Sequence, residues 1–600
     1  MTDQIRDKRI GIVGVVIIAI FLTLVSRLWY LQIANGDEYK QVASKNQYRT
    51  VQSEAPRGRI LDVNGVVLVD NRISRSIVVE RLELKDKKTR AKVIEKLSIV
   101  LNVDRKDVEK RIADQRISQY KPVPVAYDVD IDKIQYIKEH QEEFTGVDAV
   151  PLPIRRYPQG NVAPHVIGYV GEINDVELGK RKNGYQLGEI IGKSGIELAY
   201  EKELRGTPAK SKVQVDKNGS VLKTVSYTPP IPGDDIILSL DVDIQKNAEQ
   251  SLSDQIDLTR KVQDKNTKDK FETFKAPSGS VTLIDPNTGK VKAMASYPTY
   301  DPSAFVGGIS TQAYQELTAP DSGLPLNNWA TQGQYAPGST FKLISALAGL
   351  KSGIITPTSS FDDTGSLKVS DVTFYNAGKE SNGTINLPTA ITVSSDTYFY
   401  NIGSKLWSMQ YKKDPKGDAI QDTAREFGFG KKTGITIGNE SIGRIADQEW
   451  KAKVHKENPA AFPYAEWLPG ENVFAAIGQG DNLATPIQLA TAYGAFLNDG
   501  KLYQPQLVQE IRKFDKNGNY KSTFLASVKN GTIDLNPTYV ESIKQGFFGA
   551  VNNEKGTAHQ AFLGWPNTIS VGGKTGTAEV QGKQDTSLFI GFSPVDNPTF

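Results

Sequence analysis

Between Ile10 and Ser26 the chain carries no charged residue, and after Arg27 it stays largely apolar to Ile33. As a helix these 24 positions would extend roughly 36 Å, enough to cross a hydrocarbon layer of about 30 Å with some tilt. Trp29 and Tyr30 suit a membrane interface, and Arg27 can snorkel to it. A cleaved leader is the competing reading. The run is too long for its apolar region, and no small-x-small cleavage site follows. Arg6, Lys8 and Arg9 precede the run and no second one follows it. The positive-inside rule therefore predicts a cytoplasmic tail at 1–9, a single-pass anchor at 10–33 and everything after residue 35 on the far side.

Six hundred residues exceed one core and predict two to four domains. A net charge of +3 gives no reason to expect a nucleic-acid partner. With no cysteine there are no disulfides, no thiolate catalysis and no cysteine-bound metal. His140, His165, His455 and His559 show no ligand spacing, so neither a metal nor a cofactor is expected.

Beyond the anchor, Asp62 to Gly65 in "ILDVNG" reads as a turn between short strands. Residues 85–145 carry apolar positions at helical spacing among lysines and glutamates, predicting amphipathic helices with solvated faces. "GEIIGKS" brings a phosphate-binding loop to mind. Only three residues separate Gly188 from Gly192 where that loop needs four, and no strand is evident before it, so nucleotide binding is rejected. "SYTPPIPGDD" at 226–235 is the linker candidate, because paired prolines resist regular structure. After it, 242–256 reads as a helix and 279–298 as a hairpin turning at Asn287-Thr288-Gly289, the start of an α+β domain; the polar stretch 257–276 between them reads as an insertion.

"YAPGSTFKLISALAGL" holds the densest chemistry. Pro337-Gly338 breaks the chain and Ser339 opens a helical pattern, which places Ser339 and Lys342 on one face. Serine needs a base to become a nucleophile. A lysine serves only if burial or a neighbouring cation makes its neutral form accessible. The amide of Ser339, at a helix start, is also free to hold an oxyanion. Alone, this S-x-x-K pair reads as a helix cap and a surface charge. Two further segments change that. Ser394 and Asp396 lie at i and i+2 in "VSSDTYFY", where a hydroxyl can relay protons and a carboxylate can hold Lys342. "GGKTGTA" brings Lys574, whose charge would lower the basicity of Lys342, then Thr575, Gly576 and Thr577 on a strand followed by a second one in "TSLFIGF". Lys432-Thr433-Gly434 repeats the triplet but falls out of order and lacks the T-A continuation, so it reads as structural.

S-x-x-K, S-D-N and K-T-G in that order are the signature of penicillin-binding proteins and class A β-lactamases. The anchor, "PRGRILDVNG", "GKSGIELAYEKELRG", "YAPGSTFK" and "AIGQGDNLATPIQLATAY" together resemble a class B penicillin-binding protein over nearly the whole chain. Asp396 departs from the commoner asparagine; "SSDTYFYN" is similar to the rod-elongation subgroup. The resemblance implies an α+β architecture: an anchor, a pedestal or dimerisation-type domain at 34–225, a linker at 226–241 and, at 242–600, a transpeptidase domain with an antiparallel sheet flanked by helices. It implies a peptidoglycan D,D-transpeptidase of cell-wall elongation at the bacterial cell membrane. Ser339 would attack a donor stem ending in D-Ala-D-Ala, with Lys342 as base and the amides of Ser339 and Thr577 holding the oxyanion. Ser394 would protonate the departing D-alanine, and Lys574, Thr575 and Thr577 would grip its carboxylate, before an amine from a neighbouring stem resolves the ester. β-Lactams would mimic the donor. A SEDS-family glycosyltransferase and other elongation-complex membrane proteins are the implied partners.

The rivals are a membrane-anchored β-lactamase and a non-catalytic scaffold or β-lactam sensor. No E-x-x-L-N follows Ser339 to activate a deacylating water, no G-x-S-x-G supports a Ser-His-Asp hydrolase, and none of the three motifs is lost. The family continues beyond K-T-G with another strand and a closing helix, whereas Phe600 is 24 positions after Gly576. A sheet ending there would expose an edge, and the expectation is a truncated sequence.

Overall fold

The computed structural model describes residues 2–34, 47–114, 117–181, 184–216, 221–264, 272–412, 415–514, 519–566, 568–579 and 584–600. Helix Thr2–Trp29 passes into a π-helical turn at Tyr30–Ala34. Its stretch Gly11–Ala34 is long and apolar enough to cross a membrane. Ile12, Val15, Phe21, Leu24 and Trp29 on it are exposed, an arrangement favourable in lipid and costly in water.

The 62–65 turn forms as read. Asp62 Oδ1 accepts from the amides of Asn64 and Val66, and Gly65 takes φ 84°, where a side chain would be strained. The strand after it, Val67–Val79, is longer than expected, and its residues 70–79 pair antiparallel with 147–156. Helices Lys87–Leu101, Arg105–Ala113 and Ile131–Glu139 bury their apolar faces on this ribbon through Val93, Leu97, Val108, Ile112, Ile134 and Ile137. Their lysines and glutamates face water, as the helical spacing required.

The expected linker is not a tether. Residues 226–228 close the strand Val221–Thr228, and only 229–234 is irregular. Asp235–Leu238 is a wholly buried strand pairing parallel with Ile60–Leu61 and antiparallel with Val508–Phe514. One seven-stranded sheet therefore joins both halves of the chain, in the order Tyr520–Phe524, Val508–Phe514, Asp235–Leu238, Ile60–Leu61, Val67–Val79, Val123–Ala126, with Val147–Arg156 also on Val67–Val79. A shared core including Val69, Ile196, Leu204, Ile236, Val291, Ile487 and Val508 packs against it. The prolines end one strand, and burial of "DIIL" starts the next.

The short strand Ile190–Gly192 lies within "GEIIGKS" and not ahead of it, and helix Gly195–Ala199 follows. It still cradles no phosphate: the Gly192 amide donates to Glu201 Oε2 at 2.8 Å. The motifs "PRGR" and "GKSGIELAYEKELRG" meet here in a buried ionic knot. Arg57 reaches Glu197 at 2.7 Å and Glu201 at 2.8 Å, and Arg155 Nε donates to Glu197 Oε1 at 2.7 Å. Burial raises the Glu197 pKa, but Arg155 and Arg57 outweigh it and hold the carboxylate below its ordinary range.

In the C-terminal part, helix Val242–Thr259, capped by Asp241, packs on the hairpin Gly279–Ile284/Val291–Tyr297. The expected insertion at 257–276 begins within that helix and lies partly outside the described residues. Helix Lys342–Lys351 is buried on every side from 342 to 350, in a core with Phe399, Phe427, Phe496, Phe547 and Phe592.

Replacing Glu197 by alanine leaves Arg57 and Arg155 buried and underpaired. It should lower unfolding stability by about 3–5 kcal/mol, read by urea denaturation of the detergent-solubilised chain.

Candidate active site

Ser339 sits half-buried in a short 3-10 turn, Gly338–Phe341, that runs directly into helix Lys342–Lys351. Two glycine contacts fix the turn. A Cβ on Gly338 (φ 53°) would stand 2.5 Å from Thr577 O, and one on Gly478 (φ 70°) 2.4 Å from Gly338 O. The Gly338 amide donates to Gly478 O at 2.9 Å. The segments "AIGQG" and "GGKTGTA" thus clamp the serine turn from two sides, at separations only glycine permits.

Lys342 has no exposed surface. Its Nζ donates to Ser394 O (2.8 Å), Ser394 Oγ (3.1 Å) and Asp396 Oδ1 (2.7 Å), using all three of its protons. Among the described residues Ser339 Oγ makes no hydrogen bond, so Lys342 is here engaged with the Ser394 segment and not with the serine one turn away. Ser394 takes a left-handed φ of 57°, turning its carbonyl and hydroxyl together toward Lys342, and Asp396 begins the helix Asp396–Tyr411.

Lys574 lies on strand Gly572–Ala578, which pairs antiparallel with Thr586–Phe592 in the expected hairpin. It too is fully buried, and among the described residues its hydrogen bond is to Thr575 O at 3.1 Å. Gly576 brings the strand against the serine turn; a Cβ there would meet Thr340 Cγ2 at 2.9 Å. Thr577 is exposed, and Thr575 Oγ1 is 2.7 Å from Thr557 Oγ1.

Charge is divided unequally between the two lysines. Burial pushes Lys342 below the ordinary lysine range, while Asp396, and more weakly Asp363, oppose it. Lys574 is pushed well below that range by burial and then by the Lys342 charge, with Asp396 acting against both. Burial, more than the expected Lys574 charge, lowers the basicity of Lys342, and Asp396 opposes it. Lys342 holds a carboxylate partner, so the amine without one bears the larger shift.

All eight expected site residues, Ser339, Lys342, Ser394, Asp396, Lys574, Thr575, Gly576 and Thr577, fall on the serine turn, its helix, the 394–396 segment and the strand that packs on the turn. The earlier triplet has a different occupation. The Thr433 amide and hydroxyl both donate to Glu440 Oε1, and the Gly434 amide reaches Glu440 Oε2 at 3.2 Å. Sequence reading missed Asp363 and Asn376, which hold the 394–396 segment from beneath. "FDDTG" signals a turn and nothing more; their role depends on groups 13 to 34 positions away along the chain.

The penicillin-binding protein transpeptidase domain matches residues 279–600, and the penicillin-binding protein dimerisation domain matches 52–238. The chain belongs to the penicillin-binding protein transpeptidase family. It is similar to the peptidoglycan D,D-transpeptidase MrdA of Acinetobacter baumannii, 32% identical over 99% of this chain and 83% of that one. MrdA of Escherichia coli K12 is 29% identical over 99% and 89%. Among solved structures, the penicillin-binding protein PBP2 of Helicobacter pylori in complex with MreC superposes with a TM-score of 0.73 at 26% identity, covering 92% of this chain and 93% of that one. PBP2 of Pseudomonas aeruginosa in complex with WCK 5153 gives 0.63 at 29%, covering 92% and 90%.

Gly338→Ala should push the serine turn off Thr577 and cut the rate of labelling by a fluorescent penicillin about 100-fold, because displacements near 1 Å cost that much in a positioned site. The thermal unfolding midpoint should fall by a few degrees only, about what one strained turn costs.

Proposed function

We propose that this protein is a peptidoglycan D,D-transpeptidase of cell-wall elongation, with Ser339 as nucleophile and Lys342 as its base. The observation that carries the reading is the pair of fully buried lysines, one tied to Ser394 and Asp396, beside a serine held in a glycine-clamped turn. Buried amines with lowered pKa values are what a lysine base requires at neutral pH.

The Ser339 Oγ proton passes to a neutral Lys342 as Oγ bonds to the carbonyl carbon of the donor's penultimate D-alanine. The amides of Ser339 and Thr577 hold the oxyanion; the contact of Gly338 with the Thr577 backbone supports this pairing. The C–N bond then breaks, and Lys342 returns its proton through Ser394 Oγ to the leaving D-alanine. Lys574, Thr575 and Thr577 receive the substrate carboxylate, whose negative charge favours the protonated form of Lys574. An amine of a second stem attacks the ester, Ser339 recovers its proton, and the cross-link forms. β-Lactams acylate the same serine and stay.

Arg6, Lys8 and Arg9 support a cytoplasmic N-terminus and an extracytoplasmic site. The region 34–225 is the proposed docking part for a SEDS-family glycosyltransferase and other elongation-complex membrane proteins. Support comes from the similar Helicobacter pylori protein solved with MreC and from a similar chain in "Structural coordination of polymerization and crosslinking by a peptidoglycan synthase complex".

The decisive experiment is intact mass of the detergent-solubilised chain after fluorescent penicillin. A stable one-to-one adduct, absent from Ser339→Ala, is expected; rapid drug turnover without an adduct would instead mark a β-lactamase. A second expectation concerns pH. Asp396 raises the Lys342 pKa, so Asp396→Asn removes that support and lowers it. The rising limb of acylation rate against pH, which follows loss of the Lys342 proton, should move to lower pH.

A further inference from the structure

Beneath the 394–396 segment lies a carboxylate with no exposed surface, Asp363, at the end of strand Phe361–Asp363. Its Oδ1 accepts from the Gly365 amide (2.9 Å), Asn376 Nδ2 (2.8 Å) and Thr397 Oγ1 (2.8 Å). Its Oδ2 accepts from Asn382 Nδ2 (2.7 Å) and Ser395 Oγ (2.7 Å). All five donors are neutral, and among the described residues Asp363 has no ion-pair partner.

Two of those donors hold the start of helix Asp396–Tyr411. Asn376 Oδ1 accepts from the amides of both Asp396 and Thr397 at 2.9 Å, and Ser395 Oγ accepts from the Tyr398 amide at 3.2 Å. A helix start leaves its first amides unpaired, and one capping side chain ordinarily satisfies one of them. Here three are satisfied by two side chains, and both are fastened to the same buried carboxylate. A carboxylate is acceptor-only, so it alone among side chains meets all five donors without presenting a hydrogen of its own, although three of them share Oδ1. An uncharged replacement would bring its own N–H or O–H against them.

We propose that Asp363 is a positioning residue of the transpeptidation site, holding Ser394 and Asp396 in register for Lys342 through Asn376, Ser395 and Thr397. The inference rests on the reading of Ser339 as nucleophile and Lys342 as base. Asp363 touches neither, and acts by fixing the backbone that carries their partners.

The test is the rate constant for acylation of the full detergent-solubilised chain by a fluorescent penicillin across pH, for wild type, Asp363→Asn and Thr397→Val. The charged groups facing Lys342 are Asp396, Asp363 and Lys574, and the Asp363 charge favours the protonated amine. Asp363→Asn should slow acylation about 10- to 100-fold, the range for losing hydrogen bonds to a charge and misplacing a catalytic group. Because a loosened 394–396 segment holds Asp396 less firmly on Lys342, and the Asp363 charge is itself lost, the rising limb should also move to lower pH. Loosened packing alone would slow acylation without moving the limb, and that result overturns the proposal, as does an unchanged rate. Should Asp363→Asn fail to fold, Thr397→Val, nearly isosteric, decides: a several-fold slower rate supports it and a wild-type rate overturns it. If wild type itself is not acylated at Ser339, the underlying reading of the site has failed instead.

Discussion

The active end of this molecule depends on an amine kept out of water. Lys342 opens a helix buried on every side from 342 to 350, and a lone ammonium there would be untenable. Asp396 and the two oxygens of Ser394 make it tolerable, and they do so only while the 394–396 segment stays where it is. The left-handed Ser394, the doubly capped start of the following helix and the buried Asp363 all serve that one condition. Lys574 extends the problem. A second buried amine beside the first cannot comfortably share its charge, and without a carboxylate of its own its pKa is pushed well below the ordinary lysine range.

The serine turn is placed by close backbone contact, with the Tyr493 hydroxyl donating to Thr340 O and Thr340 Oγ1 to Pro337 O. Gly338, Gly478 and Gly576 let three chain segments approach at distances a methyl group would forbid. This explains why the glycines of "PGS", "AIGQG" and "KTG" accompany the reactive residues. They set the gap between Ser339 and the strand, while the buried lysines dominate the local electrostatics.

The two halves of the chain are more tightly joined than a tether would make them. A sheet that takes strands from residues 60–79, 123–156, 235–238 and 508–524 carries the anchored N-terminal part and the catalytic part on one hydrogen-bonded frame. The Arg57–Glu197–Arg155 knot lies beside it, buried, with its charges satisfied internally. The pairing of Asp235–Leu238 with both Ile60–Leu61 and Val508–Phe514 is what joins the two halves.

The anchor, the three amphipathic helices, the 62–65 turn, the two hairpins and all three reactive motifs could be read directly, because each is encoded by local periodicity, by turn chemistry or by the spacing of unusual residue types. The sequence also separated the two Lys-Thr-Gly copies, since order along the chain distinguishes them. What it did not contain was which buried polar groups meet. Asp363 and Asn376 sit at the ends of short, unremarkable strands, the charge balance between Lys342 and Lys574 depends on who holds a carboxylate, and "DIIL" after the prolines became a central strand instead of a boundary. Each of these is settled by partners far away in the chain. Burial strengthens electrostatic and hydrogen-bond terms that are weak in water, so only the tertiary structure, which decides what is buried beside what, could fix them.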